Sequence, residues 1–477
     1  MLVRRPVQAI SCLVRGFSNI SIRESTKVFS AVPPRNLARE TKADTPLRIT
    51  FLPREISLDI GHSRNINPLI PRKEIIDIPL ISRIIENPNQ SRISEIGDRL
   101  PAVAPVVDLP TSSGVDDNGI QAARPVVMKQ PVKFIILGAG INGLSCAYRI
   151  SEHYPNARLE IISERFSPNT TSDVAAGLWE PYLNGDTPKQ LLRKWSRDTY
   201  EYFHKLWKDG RAEECGISLV PFVSCSCSPE PDDIFWKDFV FHYGDLTRDR
   251  LEQLSLEHGE DYKSGTEFIT FTCEPTKLMK VYTSVLKSRG TVFRQQRIGS
   301  IEELAQEASH HTTVIVINCL GLGSRELLND RKIGPSRGQV RRVEAPWMFH
   351  VFCNDQAYVI PNTGSVTMGG IKQIDDYELE ARPADTDTIK RGCYGIVPAL
   401  DRAPVKGGFV GLRPLRQAVR LETEWIKTDG ANRFPVIHNY GHGGSGITLS
   451  WGCAGEVLNL VRNVICEDIP HSRKSKL

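Results

Sequence analysis

The feature that most constrains this sequence is a short apolar segment that runs directly into a glycine-rich turn. Residues 132–137 read Val-Lys-Phe-Ile-Ile-Leu, and an apolar run of this length is typical of a buried parallel strand. Gly138, Ala139, Gly140 and Gly143 lie in the turn that follows, and the small residues after it predict a helix. A strand, Gly-x-Gly-x-x-Gly and a helix in this order form the fingerprint of a dinucleotide site.

Each glycine of that fingerprint has a physical role. Gly138 permits the tight turn, Gly140 lets the backbone approach a pyrophosphate, and Gly143 allows close packing of helix and strand. The phosphates then face the positive end of the helix dipole. A second apolar run at 159–163 predicts the next strand, and it ends at Glu164, where an acid usually holds the ribose 2′-hydroxyl.

Two further segments favour a flavin over a nicotinamide cofactor. Residues 170–172 (Thr-Thr-Ser) offer hydroxyls to phosphate oxygens, and residues 175–177 (Ala-Ala-Gly) leave room for a flat ring against the backbone. Residues 440–448 form a second glycine-rich turn before an apolar helical run at 458–465. The N-terminus of that helix could place backbone N–H groups beside a flavin ring.

The first 131 residues have a different composition from the rest. They hold 14 of the 31 prolines and 5 of the 36 glycines, and they contain neither Trp nor Tyr. Such a stretch buries little core, so we predict that it is largely disordered. Residues 1–23 are rich in Arg and contain no acid, a composition typical of a mitochondrial targeting segment. Residues 132–477 are predicted to form the folded unit.

Several classes of protein are disfavoured by composition. The chain has no run of about 18 uncharged apolar residues, which argues against a membrane span. A net charge of +4 does not indicate a nucleic-acid-binding surface. The 11 cysteines are spread out, as in a reducing compartment. Cys225 and Cys227 have no second Cys or His pair nearby at zinc spacing, so we predict no metal site.

Residues 132–477 resemble the D-amino-acid oxidase family, which includes D-aspartate oxidase. The resemblance rests on eight motifs in the expected order, at 138–145, 170–177, 318–321, 337–339, 345–347, 367–370, 411–414 and 438–444. It implies an α/β fold in which a Rossmann-like FAD-binding domain is interleaved with an antiparallel-sheet substrate domain. The implied FAD-binding segments are about 132–185, 290–330 and 405–465, and the implied substrate domain is about 186–289 and 331–404.

The resemblance also implies a reaction. Members of the family oxidise a D-amino acid with non-covalently bound FAD, and molecular oxygen then reoxidises the flavin to give hydrogen peroxide. No acid–base side chain is required, so the protein has to orient the substrate and exclude water. Arg413 matches the substrate-binding arginine, whose planar fork suits a carboxylate. Tyr358 matches the family's substrate tyrosine, whose hydroxyl can donate to the same group.

The residues that the fingerprint and the family match predict to contact FAD come from five parts of the chain. They are Gly138, Ala139, Gly140, Gly143, Glu164, Arg165, Thr171, Ser172, Gly177, Leu178, Ile298, Gly443, Gly444, Ile447 and Thr448. We interpret His442, in the same C-terminal motif, as an oriented structural histidine rather than a base.

Two positions give opposite predictions for the preferred D-amino acid. Lys372 matches a position that is basic in D-aspartate oxidases, and it predicts substrate binding through a second carboxylate, favouring D-aspartate or D-glutamate. Glu180 lies in a segment typical of the enzymes that prefer neutral substrates, and an acid facing the pocket would repel an acidic side chain. A neutral D-amino-acid oxidase, a sarcosine- or glycine-type amine oxidase and a non-catalytic flavin-binding scaffold are the alternatives, and a homodimer is compatible with all of them.

The last three residues predict where in the cell the protein is located. Ser475, Lys476 and Leu477 match the tripeptide that the peroxisomal import receptor recognises, and peroxisomes suit an oxidase that releases peroxide. The Arg-rich N-terminus favours mitochondria instead. We expect the peroxisomal signal to dominate, because a fixed tripeptide is more specific than a composition.

Deleting residues 475–477 tests this prediction. A fluorescently tagged full-length protein should move from peroxisomes to the cytosol when the tripeptide is removed, as seen by co-localisation with a matrix marker. A protein that remains in mitochondria with or without the tripeptide would show that the N-terminal segment dominates.

Overall fold

The computed structural model describes residues 20–24, 56–60, 132–229, 234–305, 313–427 and 433–467. The chain divides into two units, Met1–Ser112 and Ser113–Leu477. In the first unit, strands β1 (Ile20–Glu24) and β2 (Ile56–Ile60) pair antiparallel, with Ile22 opposite Leu58. The rest of the segment predicted to be disordered, and the tripeptide at 475–477, lie outside the described residues.

The second unit is a mixed α/β structure, which confirms the predicted fold class. Its helices are α1 (Ile141–His153), α2 (Thr171–Val174), α3 (Lys189–Lys208), α4 (Ala212–Cys215), α5 (Arg248–His258), α6 (Pro275–Ser288), α7 (Glu302–Ala305), α8 (Ser324–Leu327), α9 (Pro383–Ile396) and α10 (Gly446–Glu467). Short 3₁₀ turns occupy Gly321–Gly323 and Pro398–Arg402. No helix within the described ranges combines the length and apolar character needed to span a bilayer.

Five strands of this unit are parallel and carry the predicted nucleotide fingerprint. They are β3 (Val132–Leu137), β4 (Arg158–Ser163), β8 (Val292–Gln295), β9 (Thr313–Asn318) and β16 (Arg433–His442). They stand in the order β16-β9-β3-β4-β8. The fully buried apolar side chains of β3 and β9 explain why both sequences read as continuous apolar runs.

The other strands are mainly antiparallel. They are β5 (Ile217–Ser226), β6 (Phe241–Asp245), β7 (Ser264–Cys273), β10 (Ile333–Val343), β11 (Val351–Cys353), β12 (Tyr358–Pro361), β13 (Val366–Gly369), β14 (Gln373–Ile374) and β15 (Val405–Lys427). The order is β6-β7-β5-β11-β12-β13-β10-β15, with β14 on the side of β10, and only the β5–β11 pair among them is parallel.

Strand β15 connects the two sets. Its first half pairs with β10, where Arg413 stands opposite Ser336, and its second half pairs with β16, where Leu421 stands opposite Asn439. The register shifts between Leu415 and Arg420. This shift begins two residues after Arg413, so the predicted substrate anchor is located close to where the antiparallel strands meet the parallel ones.

Helices α3 and α6 lie in segments that the sequence assigned to a substrate domain, yet they pack beside the parallel strands. Tyr202 of α3 stacks on Trp451 of α10 with ring centroids 3.6 Å apart. Tyr282 of α6 packs on Tyr148 of α1 with ring centroids 5.0 Å apart. Both helices therefore support the nucleotide-binding half of the molecule.

A buried arginine fixes the long loop between β14 and α9. Arg337 of β10 is fully buried and forms an ion pair with Asp385 at 2.6 Å. Its guanidinium also donates to the backbone carbonyls of Glu378 (2.9 Å) and Glu380 (2.7 Å). The charge is thus satisfied by partners on the loop and in the first turn of α9, as a buried charge requires.

Replacing Asp385 with Ala should leave this charge without its anionic partner. We expect Asp385→Ala to lower the free energy of unfolding by about 3–5 kcal/mol, because breaking a buried pair strands the other charge. Chemical denaturation measures the change. Asp387→Ala is the matched control, since Asp387 is an exposed residue of the same helix and should change stability by under about 1 kcal/mol. Equal effects would contradict the argument.

Candidate functional site

The carboxyl ends of the parallel strands open into one large cavity. Its volume is about 1140 Å³, which exceeds the roughly 300–1,000 Å³ typical of a pocket for one drug-sized ligand. It runs from the loops after β3, β4 and β9 to the faces of β5, β11 and β12. Ligands of open α/β sheets bind at this edge, so the cavity is the candidate site.

The fingerprint loop is shaped for a close backbone approach. Gly138 has φ +96°, and a Cβ there would lie 2.6 Å from the carbonyl oxygen of Cys319. A Cβ on Gly143 would lie 1.9 Å from the carbonyl oxygen of Gly138, so only a glycine here lets α1 pack this closely against the loop after β3. Helix α1 carries no acid in its first turn, so its positive end is available to phosphate groups.

Ser172 ties the second predicted segment to this helix. Its hydroxyl accepts a hydrogen bond from the Ile141 N–H at 3.1 Å, which leaves its own proton free to donate into the cavity. The turn around it is held by Asp173, whose carboxylate accepts from the backbone N–H of Thr170 at 2.9 Å and from its hydroxyl at 2.7 Å. The residues present therefore fit a dinucleotide with its phosphates at the α1 N-terminus.

Most of the predicted cofactor residues line the cavity. They are Gly138, Ala139, Gly140, Glu164, Arg165, Thr171, Ser172, Gly177, Leu178, Ile298, Gly443, Gly444 and Ile447. Gly143 and Thr448 do not. The Thr448 hydroxyl accepts from the Glu180 N–H at 3.2 Å and donates to the Glu180 carbonyl at 3.0 Å. Thr448 therefore fixes the backbone of the segment that lines the cavity instead of lining it.

Arg413 lines the far end of the cavity, close to Tyr358 and Tyr182. Its guanidinium donates to the carbonyl oxygens of Arg337 (3.4 Å) and Ile371 (3.3 Å). Within the described part of the chain Arg413 forms no ion pair. A Cβ on Gly338 would lie 2.3 Å from Arg413 Nη1, so the guanidinium packs where only glycine leaves room. An arginine held by carbonyls and facing a cavity is suited to bind a carboxylate.

The two tyrosines are hydroxyl donors at neutral pH. Burial raises the pKa of Tyr358, and the positive charge of Arg413 acts in the opposite direction. The pKa of Tyr182 is also raised by burial, lowered in part by Arg413, and raised by Glu180. Arg413 and Glu180 therefore both act on Tyr182, so an anion-binding and a cation-binding group lie in the same part of the cavity.

The position of Lys372 does not support the prediction made for it. Lys372 is exposed, on the loop between β13 and β14, and it does not line the cavity. Its neighbour Ile371 does line the cavity and holds Arg413 through its carbonyl. The backbone here serves the anchor, and the side chain extends to solvent. Glu180, in contrast, does line the cavity.

The wall formed by β5 and β7 was not predicted from the sequence. Phe222, Ser224, Thr266 and Phe268 line the cavity there, and Asp355 lines it from the turn between β11 and β12. No motif marks these positions. Alternation along 217–226 could have indicated one face of a strand, but it could not have shown that this face borders the site.

His442 also lines the cavity and is fully enclosed. Its Nε2 is 3.0 Å from the side-chain oxygen of Asn439, an interaction that fixes the ring. Burial lowers the pKa of His442 to about 4, so the imidazole is neutral in the folded protein at pH 7. This agrees with the interpretation of His442 as an oriented structural residue.

Comparison with known proteins places the chain in a family. Residues 133–460 match the model of a family described as FAD dependent oxidoreductase. Human D-aspartate oxidase is 36% identical over 337 residues, which cover 70% of this chain and 95% of that protein. The D-amino acid oxidase of Dugesia ryukyuensis is 34% identical, over 69% of this chain and 97% of that protein.

Solved structures show the same fold at much lower identity. Glycine oxidase from Geobacillus kaustophilus superimposes with a TM-score of 0.57 at 15% identity, covering 70% of this chain and 95% of that one. Glycine oxidase from Bacillus cereus gives 0.54 at 19% identity, with the same coverages. These likenesses concern the fold alone.

The buried histidine generates a pH-dependent stability. His442 has a pKa of about 4 when folded and an ordinary value of 6.5 when unfolded, so the unfolded chain binds the extra proton between them. The contribution of the neutral His442 ring to the free energy of unfolding is complete above about pH 6.5 and is lost as the pH falls towards 4. In His442→Gln, the fall in unfolding free energy over this range should be smaller than in the parent by on the order of 2–3 kcal/mol.

Denaturant titrations of both proteins at several pH values measure this difference. His438 also has a pKa lowered to about 4, chiefly by burial, and both proteins retain it, so the comparison isolates His442. Parallel pH profiles would contradict the assignment of a neutral buried imidazole.

Proposed function

Because the chain belongs to the FAD-dependent oxidoreductase family that includes D-aspartate oxidase and D-amino-acid oxidase, we propose that it oxidises D-amino acids at the cavity end where Arg413 and Tyr358 meet. A D-amino acid, oxygen and water yield a 2-oxo acid, ammonia and hydrogen peroxide. The observation that carries this proposal is the guanidinium of Arg413, which has no carboxylate partner among the described residues and lines a cavity continuous with the dinucleotide loop.

Substrate orientation is assigned to two side chains. The planar guanidinium of Arg413 can meet both oxygens of the substrate carboxylate, and the carbonyls of Arg337 and Ile371 hold it in place. The protonated hydroxyl of Tyr358 can donate a further hydrogen bond to the same carboxylate. Fixing the carboxylate positions the α-carbon, and this positioning is the main catalytic contribution expected of the protein.

FAD would be held by the fingerprint loop and the N-terminus of α1 at its phosphates, and by the Gly443–Gly444 turn at the far end. When bound, FAD supplies the two-electron chemistry, since it accepts the electrons of the substrate and passes them to oxygen. The residues of this chain contribute orientation and exclusion of water. Tyr182 covers the backbone of Gly444, where a Cβ would lie 2.5 Å from its ring, and so shields this end.

The site favours neutral or basic over acidic D-amino acids. The expected preference for D-aspartate or D-glutamate rested on Lys372 and on the likeness of residues 318–325 to D-aspartate oxidase, and the side chain of Lys372 lies outside the cavity. Glu180 lines the cavity and would repel a second substrate carboxylate. An acidic substrate remains the second candidate because of the 36% identity to human D-aspartate oxidase.

A panel of amino acids tests the function. Anaerobic mixing of the FAD-loaded protein with D-alanine, D-lysine, D-aspartate, glycine or sarcosine should bleach the flavin absorption only with D-amino acids. Bleaching by glycine or sarcosine alone would favour an amine oxidase. A flavin that no substrate bleaches would favour a non-catalytic flavin-binding scaffold.

The carboxylate anchor is tested by Arg413→Leu. We expect an unchanged flavin spectrum and a kcat/KM at least about a hundredfold lower, because a charge-assisted bidentate contact is lost. Arg391→Leu is the control, since Arg391 is exposed on α9 and should keep the parent kcat/KM. Retained activity in Arg413→Leu would remove Arg413 from the site.

A further inference from the structure

The cavity wall next to Tyr358 is the face of four neighbouring strands. Tyr358 stands opposite Cys353, Cys353 opposite Ser224, and Ser224 opposite Thr266. All four residues line the cavity. Directly paired residues project from the same face of a sheet, so they form one row across three strand spacings, about 14 Å. We call this the side-chain row.

The wall changes from apolar to polar across the side-chain row. On one side lie Ile360, Phe222 and Phe268, and the two phenyl rings stack with centroids 4.2 Å apart. On the other side lie Ser226 and Ser264, which pair directly and also line the cavity. A ligand lying across the row therefore has an apolar surface at one end and hydroxyls at the other.

The polar end carries a negative charge of fixed position. Asp355 follows Cys353 by two residues, and its carboxylate accepts a hydrogen bond from the Cys227 N–H at 2.8 Å. The turn that bears Asp355 is held by Asn354, whose side-chain oxygen accepts from the N–H groups of Gln356 (3.0 Å) and Ala357 (2.8 Å). The charge cannot move away without breaking these contacts.

A second carboxylate lies next to the row. Glu180 lines the cavity together with the side-chain row, and its backbone is held by the Thr448 hydroxyl. Burial, and after it the charge of Glu180, raises the pKa of the Cys353 thiol. The cations among the described lining residues are Arg413, at the carboxylate anchor, and three arginines in the segments that follow the parallel strands, Arg165, Arg297 and Arg325. Arg413 lies next to Tyr358 at one end of the side-chain row. Towards the other end, the charged residues that line the cavity beside the row in the described part of the chain are the two acids, Glu180 and Asp355.

We propose that this wall is a subsite for D-amino acids with a long cationic side chain, such as D-lysine or D-arginine. This inference rests on the proposed function, with the substrate carboxylate at Arg413. The aliphatic stem would lie against Phe222 and Cys353, and the cationic head would meet Asp355 and Glu180 with help from the serine hydroxyls. An aspartate side chain would bring a like charge to the same place.

Matched substrates separate charge from size. D-norleucine has the length of D-lysine without its charge, so the ratio of their kcat/KM values reports the electrostatic part. We expect the parent enzyme to favour D-lysine over D-norleucine by about tenfold, and D-aspartate to be the poorest of the three.

Isosteric variants assign that ratio to the two acids. Asp355→Asn keeps an oxygen acceptor for the Cys227 N–H, and it should lower kcat/KM for D-lysine at least about fivefold while D-norleucine changes less than about twofold. Glu180→Gln should act in the same direction and also improve D-aspartate. Glu213→Gln, an exposed acid on α4, should leave the ratio unchanged.

The contrary outcomes are distinct. If D-norleucine equals or exceeds D-lysine, or if both variants change the two substrates in equal proportion, the subsite is overturned while D-amino acid oxidation stands. A parent enzyme that prefers D-aspartate also overturns the subsite. If no D-amino acid bleaches the flavin, the proposed function itself fails, and the subsite fails with it.

Discussion

The pairing of one 23-residue strand with two different partners determines the geometry of the site. Strand β15 belongs to the antiparallel set through β10 and to the parallel set through β16. The change of partner begins at Leu415, two residues after Arg413, so the carboxylate anchor is located beside the junction. Hydrogen bonds along the strand on both sides hold that junction. The distance between the phosphate-binding loop and the substrate anchor is therefore set by backbone pairing, which is far stiffer than any loop.

Behind the anchor, a buried arginine provides the second layer of support. The carbonyl of Arg337 accepts from Arg413, while its own guanidinium binds Asp385 and the loop before α9. Gly338 adjoins both arginines and leaves the space that the Arg413 guanidinium occupies. Arg337 supplies a buried charge whose hydrogen bonds are satisfied, and Gly338 supplies a position without a Cβ. Together they leave the Arg413 guanidinium facing the cavity, where it can meet a substrate.

The sequence predicted the nucleotide side of the molecule well, because its constraints are local. The turn at Gly138 and the helix after it are encoded within twenty residues, and backbone geometry forces their residue types. The substrate side was predicted less well, because its wall depends on strand register between distant segments. Ser224 and Thr266 are neighbours only through pairing of β5 with β7. The Lys372 prediction was not supported for a related reason, since a motif position does not specify which way a side chain leaves a loop.

The turn between β11 and β12 is held too firmly to act as a moving cover for the site. It is short, and Asn354 holds it with bonds to Gln356, Ala357 and the Tyr262 hydroxyl, which accepts from the Asn354 amide at 3.1 Å. A short turn with these hydrogen bonds cannot move across the cavity as a rigid lid would. Moving this turn over the cavity would break these hydrogen bonds, so the cavity wall and the charge of Asp355 keep their positions here.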